Sequence, residues 1–306
     1  MLTSISTKYW HFLLAQGFLA GISCGMLMTP AMAATPQYFN KKRDIAMGLA
    51  VAMSSIGGVV FPIMIGRMLQ NDSLGFGWSV RIAAFVCLAL LVFACIAIKP
   101  RLPPRNSQFF KPQAFKEPVF ATMCFSAVLL FLAFFQPFFF VPSYALTQGM
   151  SESMAFYLVP ILNGASFPGR IVAALLAKKH GRFNVLLFAS ISSGILAFCW
   201  PQTHSNATII VWAVLYGFCS GAVISVMSVA FASAAKDPKD LGTYIGMGLT
   251  TASVGAVIGP PISGALYSHY NGFEQVAIMT GVLLVVGGFL MIPIKVSSGH
   301  ALLSRN

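Results

Sequence analysis

Nine runs of apolar residues, each about twenty long, follow one another along the chain at 11–35, 46–69, 79–98, 119–146, 153–177, 184–201, 207–233, 243–268 and 273–294. Polar gaps separate them. At 1.5 Å per residue, a helix of about twenty residues crosses a hydrocarbon core of roughly 30 Å. The pattern predicts an all-α, polytopic helical membrane protein with about nine transmembrane helices. One of these runs is written twice. Shifting the chain by 198 positions, which carries Gly48 to Gly246, also lays Ser55 on Ser253, Gly57 on Gly255, Pro62 on Pro260 and Gly66 on Gly264. Just upstream, Gly17-Phe-Leu-Ala-Gly21 matches Gly217-Phe-Cys-Ser-Gly221. A helix pair repeated at this distance marks internal symmetry and outranks any local motif in deciding the fold.

Composition strengthens this picture. Charged residues make up 8% of the chain and mean hydropathy is +0.80, too little charge to cover a water-soluble globule of 306 residues. The net charge of +12 could suggest a polyanionic partner, but its placement argues otherwise. Of the 19 Lys and Arg residues, 15 fall at 41–43, 99–116, 178–182, 236–239 and 295–305, that is, in alternate gaps. Positive residues collect on the cytoplasmic side of membrane proteins, so the bias reports orientation and not nucleic acid. It puts the amino terminus outside and the carboxyl terminus in the cytoplasm.

The run from Phe12 to Ala34 has the outline of a secretory signal ending at Ala31-Met-Ala-Ala34. Its match to 207–233, which no signal could occupy, favours a spanning helix. Gly17, Gly21 and Gly25 put small residues on one face of that helix, where a neighbour can approach closely. Gly57, Gly58 and Pro62 predict a kink or tight contact in the second run, as Gly255 and Pro260 do in its copy. Residues 99–118, with five prolines and five positive charges, read as a cytoplasmic connector.

Catalytic and metal chemistry find no footing. The six cysteines lie inside predicted spans without Cys-x-x-Cys spacing, and the five histidines are scattered over span ends and loops. Gly21-Ile-Ser-Cys-Gly25 matches a nucleophile elbow only in letters, since it lies within an apolar helix. No cofactor, metal or enzymatic activity is expected. Asn206-Ala-Thr208 is a glycosylation acceptor sequence on the predicted outer side.

Two stretches carry candidate binding residues. The first, Phe131-Leu-Ala-Phe-Phe-Gln-Pro-Phe-Phe-Phe140, reads either as lipid-facing Phe or, given Pro137, Pro142, Gln136, Ser143 and Tyr144, as a helix lining a cavity. The second is Ile161-Leu-Asn-Gly-Ala-Ser-Phe-Pro-Gly-Arg-Ile171. Arg170 lies eight residues from Lys178, roughly 12 Å inside the membrane edge at the helical rise. None of the seven acidic residues sits deep in a predicted span. A deep arginine either snorkels to the headgroups, braces a helix contact, or holds an anion. Asn163 and Ser166, on the same helical face, favour the last, because a guanidinium grips a carboxylate through two parallel hydrogen bonds.

Together these residues resemble the major facilitator superfamily, and within it the monocarboxylate-porter branch of fungi. The resemblance rests on Tyr38-Phe39 with Lys41-Lys-Arg43 and Ala46-Met-Gly48, on Asn163 through Gly169-Arg170, on Gly181-Arg-Phe-Asn184, and on the repeated Ser-x-Gly-x-Val-x-x-Pro helix. It implies four three-helix units, of which this chain holds the last three and lacks the first three helices. The domains are then 1–98, a partial N-terminal half; 99–118, the connector; and 119–306, a six-helix C-terminal half. The implied function is secondary transport of a small organic anion, a carboxylate, possible symport with protons included. The implied setting is a lipid bilayer, with the plasma membrane ahead of the vacuole. Arg170, Asn163, Ser166, Tyr144, Phe134 and Phe135 would bind substrate. Ser166 stands where relatives carry an aspartate, and Ala177-Lys178-Lys179 where they read Ala-Asp-Arg. A non-transporting pseudocarrier or membrane sensor is the alternative.

Overall fold

A computed structural model describes residues 1–39, 43–70, 75–98, 110–235, 237 and 240–297. Nine helices among the described residues are long and apolar enough to cross a membrane. They are α1 (Tyr9–Met32, continuing as helix to Tyr38), α2 (Ile45–Leu69), α3 (Gly75–Ala97), α4 (Pro118–Thr147), α5 (Glu152–His180), α6 (Arg182–Gln202), α7 (Asn206–Ala234), α8 (Leu241–Tyr270) and α9 (Glu274–Ile294). Each lies within a few residues of an apolar run in the sequence. The described residues contain no strand. Lys41 and Lys42, residues 99–109 of the connector and the basic positions 236, 239 and 305 lie outside the described residues, as do the side chains of Arg43 and Lys295.

Helix ends follow local chemistry. Between α5 and α6 the chain turns at Gly181, whose φ of 87° is a conformation that a side chain would resist. Ser205 caps α7 by accepting from the Thr208 amide at 3.2 Å, and the Thr208 hydroxyl accepts from the Ser205 amide at 3.1 Å. The acceptor sequence Asn206-Ala-Thr208 therefore forms the first turn of a helix. α4 breaks at Phe135, just before Pro137, which has no amide hydrogen to continue the ladder. The Gln136 side chain restores one bond there, donating from Nε2 to the Leu132 carbonyl at 2.6 Å. Hydrocarbon would offer that carbonyl nothing.

The core lies in the later two thirds of the chain. Its buried residues run from Ala114 to Ile294, and among the described residues Met47 of α2 is the one contribution from the first three helices. Between 39% and 56% of the most apolar window of each of α4–α9 is buried, against 6% for α3 and none for α1. α5 is the central strut, packed on α7 on one side and on α2 on the other. Both contacts rely on absent side chains. A Cβ on Gly217 would strike the Leu162 carbonyl, one on Gly221 would lie 2.5 Å from the Ser166 carbonyl, and one on Gly58 would lie 2.5 Å from Asn163 Oδ1. Packing in hydrocarbon has no hydrophobic drive, so close backbone approach supplies the dispersion contacts instead.

α8 packs against α4, with Gly255 on the Val128 carbonyl and Gly259 on that of Leu132. Among the described residues, a Cβ on Gly57, the repeat mate of Gly255, would meet only Phe61 of its own helix, and one on Gly21 or Gly25 would meet nothing within 4 Å. The small face of α1 is thus open where the matching face of α7 is filled by α5. The same holds for the repeated helices. Ser55 of α2 is fully buried against α5, whereas its mate Ser253 on α8 is exposed. No helix among the described residues lies between α1 and α8 in the way that α5 lies between α7 and α2.

Successive helices alternate in direction, which places residues 38, 45, 97, 118, 180, 182, 234, 241 and 294 at one end of the bundle, here called the connector end. The described part of the connector is docked there. Ala114 is buried, Phe115 packs on Phe120 of α4 with ring centroids 5.4 Å apart, and Lys111 pairs with Asp240 at the start of α8 at 2.7 Å.

Candidate functional site: a cavity ending at Arg170

The site forms where α5 carries a cation into the middle of the apolar bundle. Pro160 and Pro168 lie inside α5 without ending it, and Gly169 sets its backbone against the Phe218 carbonyl of α7. From here the Arg170 side chain reaches toward α2. It is 6% exposed. Its Nε donates to Ser166 Oγ, one turn earlier, at 3.0 Å. Nη1 donates to the Val51 carbonyl at 2.7 Å and also to Ser54 Oγ, both on α2. Nη2 has no hydrogen-bond partner among the described residues. Around this group the network stays neutral: Ser55 donates to Ser166 at 3.4 Å, Ser54 to the Val51 carbonyl at 2.9 Å, and Ser225 to the Arg170 carbonyl at 3.3 Å. A buried charge needs hydrogen bonds or a counter-ion, and this one has only the first.

Arg170 forms part of the wall of a cavity of ≈ 840 Å³ in the half of the bundle nearer the connector end. Apolar wall comes from Met32 of α1, Phe131 and Phe135 of α4, Ile224 of α7 and Leu249 of α8. Polar groups are few: Thr35 and Tyr38 of α1, Ser54, Ser228 and Ser253. Tyr38, Phe39 and Ile98 mark its outer end. Arg170 is the one charged side chain of the described lining.

The residues singled out in the sequence divide into two sets. Arg170 and Phe135 stand on the cavity wall, and Ser166 lies directly behind Arg170. Asn163 is placed away from the cavity, its Nδ2 donating to the Val159 carbonyl at 3.0 Å and its Oδ1 against Gly58. Phe134 is buried inside the later helices, stacked on Phe138 at 5.5 Å, and its carbonyl accepts from Tyr216. Tyr144 is at the opposite end of the bundle, bonded to the Thr203 carbonyl at 2.7 Å and packed on Trp200 and Phe273. The aromatic run of α4 is therefore split by helical phase, since Phe134 and Phe138 stack on each other among the later helices while Phe131 and Phe135 face the cavity.

Val51, Ser54, Ser228 and Ser253 carry no local signature. The repeat does point to one of them: Ser253 is the mate of Ser55, which touches Ser166. Among the described residues no group of His, Cys, Asp or Glu could hold a metal ion.

Comparison with known proteins agrees with this architecture. The sequence pattern of the Major Facilitator Superfamily matches residues 1–203 and 185–304. The chain belongs to that superfamily. Among its relatives, the aspyridones efflux protein apdF of Emericella nidulans is 46% identical over 298 residues, covering 97% of this chain. The agnestins efflux protein AgnL12 of Paecilomyces divaricatus is 37% identical over 302 residues, again 97% of this chain. This facilitator chain spans 61% of the first relative's length and 68% of the second's. A solved facilitator, FucP in the outward conformation, superimposes with a TM-score of 0.71 at 14% identity, over 93% of this chain and 76% of its own. A variant of the E. coli fucose:proton symporter FucP gives 0.72 over 93% and 77%. These likenesses speak for the fold.

Proposed function

We propose that the chain forms the substrate path of a secondary carrier that moves small organic anions, with Arg170 as the cation that holds them. The observation that carries this is a buried guanidinium, bonded only to neutral groups, on the wall of a cavity without a described acid. Intramembrane charge of this kind is costly unless used.

Cavity size and lining refine the substrate. A space of ≈ 840 Å³ walled by Met, Phe, Ile and Leu suits a larger amphipathic acid better than a two- or three-carbon monocarboxylate. The names of apdF and AgnL12 favour export of a secondary metabolite over uptake of a nutrient. The grip is one-sided in this conformation. Nη1 is engaged by α2 and Nε by Ser166, leaving Nη2 for the first contact, and a two-nitrogen grip on a carboxylate through both terminal nitrogens requires Val51 or Ser54 to release Nη1. Substrate would thereby compete directly with the α2–α5 contact. The described cavity offers no carboxyl group to relay a proton, so the reading assigns no proton-coupling residue. The positive-inside pattern favours the cytoplasmic side for the connector end, and with it the cavity, and a role in export favours the plasma membrane over the vacuole.

The test is efflux from preloaded vesicles of a labelled apolar carboxylate, comparing the native chain with Arg170→Ala and Arg170→Lys. The proposal expects loss of efflux in the first and partial retention in the second. Unchanged efflux by a folded Arg170→Ala protein would leave the arginine as a helix brace. No efflux by the native chain would favour a pseudocarrier.

A further inference from the structure

The hydroxyl groups on the wall of the Arg170 cavity share a one-sided hydrogen-bonding character. A serine or threonine hydroxyl has one hydrogen to donate and two lone pairs that accept. Four such groups stand on the wall, and each commits its hydrogen to a carbonyl of its own helix: Thr35 to Ala31 at 3.0 Å, Ser54 to Val51 at 2.9 Å, Ser228 to Ile224 at 3.4 Å and Ser253 to Thr250 at 2.8 Å. A carbonyl oxygen only accepts, so the direction of each bond is fixed. What remains for the cavity is lone pairs. Arg170 has the reverse character, with donors and no acceptor.

Position singles out Ser253. Ser54 already accepts from Arg170 Nη1, Ser228 is only 3% exposed, and Thr35 lies one turn from Tyr38 at the outer end. Ser253 is exposed, and among the described residues its Oγ accepts no hydrogen bond. It lies 12 residues into α8, about 18 Å from the connector end, and Arg170 lies 10 residues in from His180, about 15 Å. The two stand at similar depth on helices with different neighbours, α8 packed on α4 and α5 on α2 and α7. Turning the Ser253 hydrogen toward a substrate acceptor would break its bond to Thr250, whereas accepting from a substrate donor leaves that bond in place.

We propose that the substrate is an acid that also bears a hydroxyl, and that Ser253 determines this specificity by accepting the hydroxyl's hydrogen. The inference rests on the reading of Arg170 as the cation that holds the carboxylate. The apolar body of such an acid lies against Phe131 and Phe135, between a site that donates and a site that accepts.

The probes are para-hydroxyphenyl alkanoates over a series of chain lengths, each paired with its para-fluoro counterpart, in which fluorine is close to hydroxyl in size and donates nothing. Their affinities for the purified full chain are measured by calorimetry. At the chain length that the native chain binds best, the ratio of hydroxy to fluoro affinity falls by roughly three- to tenfold in Ser253→Ala, the scale of one net hydrogen bond. Ser253→Thr, which keeps the hydroxyl, holds the native ratio. Circular dichroism confirms that each variant keeps its helices. A ratio unmoved by Ser253→Ala, in a native chain that prefers an acid to its methyl ester, overturns this inference and leaves the Arg170 reading standing. A ratio that falls equally in Ser253→Thr overturns it too, by reducing Ser253 to a packing residue. Equal native affinity for acid and ester overturns both readings.

Discussion

At the scale of single residues, the chemistry turns on how Arg170 distributes its donors. Ser166, Val51 and Ser54 solvate the guanidinium without neutralising it, and Nη2 is left without a hydrogen-bond partner among the described residues. Ser54 and an incoming carboxylate want the same nitrogen. Ser54→Ala is therefore expected to tighten binding of an apolar carboxylate by roughly three- to tenfold, since one hydrogen bond to a charged group is worth about 1.5–3 kcal/mol and Val51 still holds part of it. Ligand-dependent shifts in thermal midpoint measure this, and weaker binding would mean that Ser54 positions the arginine instead. Gln136 presents a second residue-level case. Gln136→Leu leaves the Leu132 carbonyl without its side-chain donor and is expected to cost about 1–3 kcal/mol, seen as a lower thermal midpoint.

At the scale of helices, close approach separates contacts that look alike in the sequence. Gly17, Gly21 and Gly25 have the same spacing as Gly217 and Gly221, yet only the second set has α5 against it. Small residues permit a contact and do not supply the partner, which is why the pattern alone read both faces as packed. Gly58→Val drives a branched side chain into Asn163 and is expected to destabilise the chain by about 1–3 kcal/mol. Gly25→Ala adds a methyl group where no described atom lies within 4 Å, and with the better helix propensity of Ala it should not lower the thermal midpoint. A comparable loss in both variants would show that α1 is packed as tightly as α7. The aromatic run of α4 was legible as a mixture and no further. Which Phe faces the cavity depends on the phase of the helix leading into its break at Phe135, and apolar composition does not encode that phase.

At the scale of the whole molecule, the nine spans and the duplicated helix pair were plain in the sequence, because hydrocarbon thickness and internal symmetry each leave a long-range mark. The cavity left none. Met32, Ser54, Phe135, Arg170, Ile224 and Leu249 come from six helices, and their convergence is a property of packing order. Tyr144 shows the converse: a polar aromatic beside two prolines looked like a cavity residue, but its hydroxyl closes the far end of the bundle on Thr203. The cavity also requires α1 to meet α8, where a Cβ on Gly246 would lie 3.6 Å from Thr29 Cγ2. The double variant Thr29→Cys/Gly246→Cys, with the native cysteines replaced, should form an oxidative cross-link detectable by gel mobility. Its absence would separate the two helices and open that wall.

The most direct measurement of the central claim is the affinity of the purified chain for an arylalkyl carboxylate and for its uncharged methyl ester, each with and without Arg170→Gln. The account predicts at least roughly tenfold tighter binding of the acid than of the ester by the native chain, a difference of about 1.4 kcal/mol, and loss of that preference in the variant. Equal affinity of the native chain for acid and ester, or a preference that survives Arg170→Gln, would contradict it.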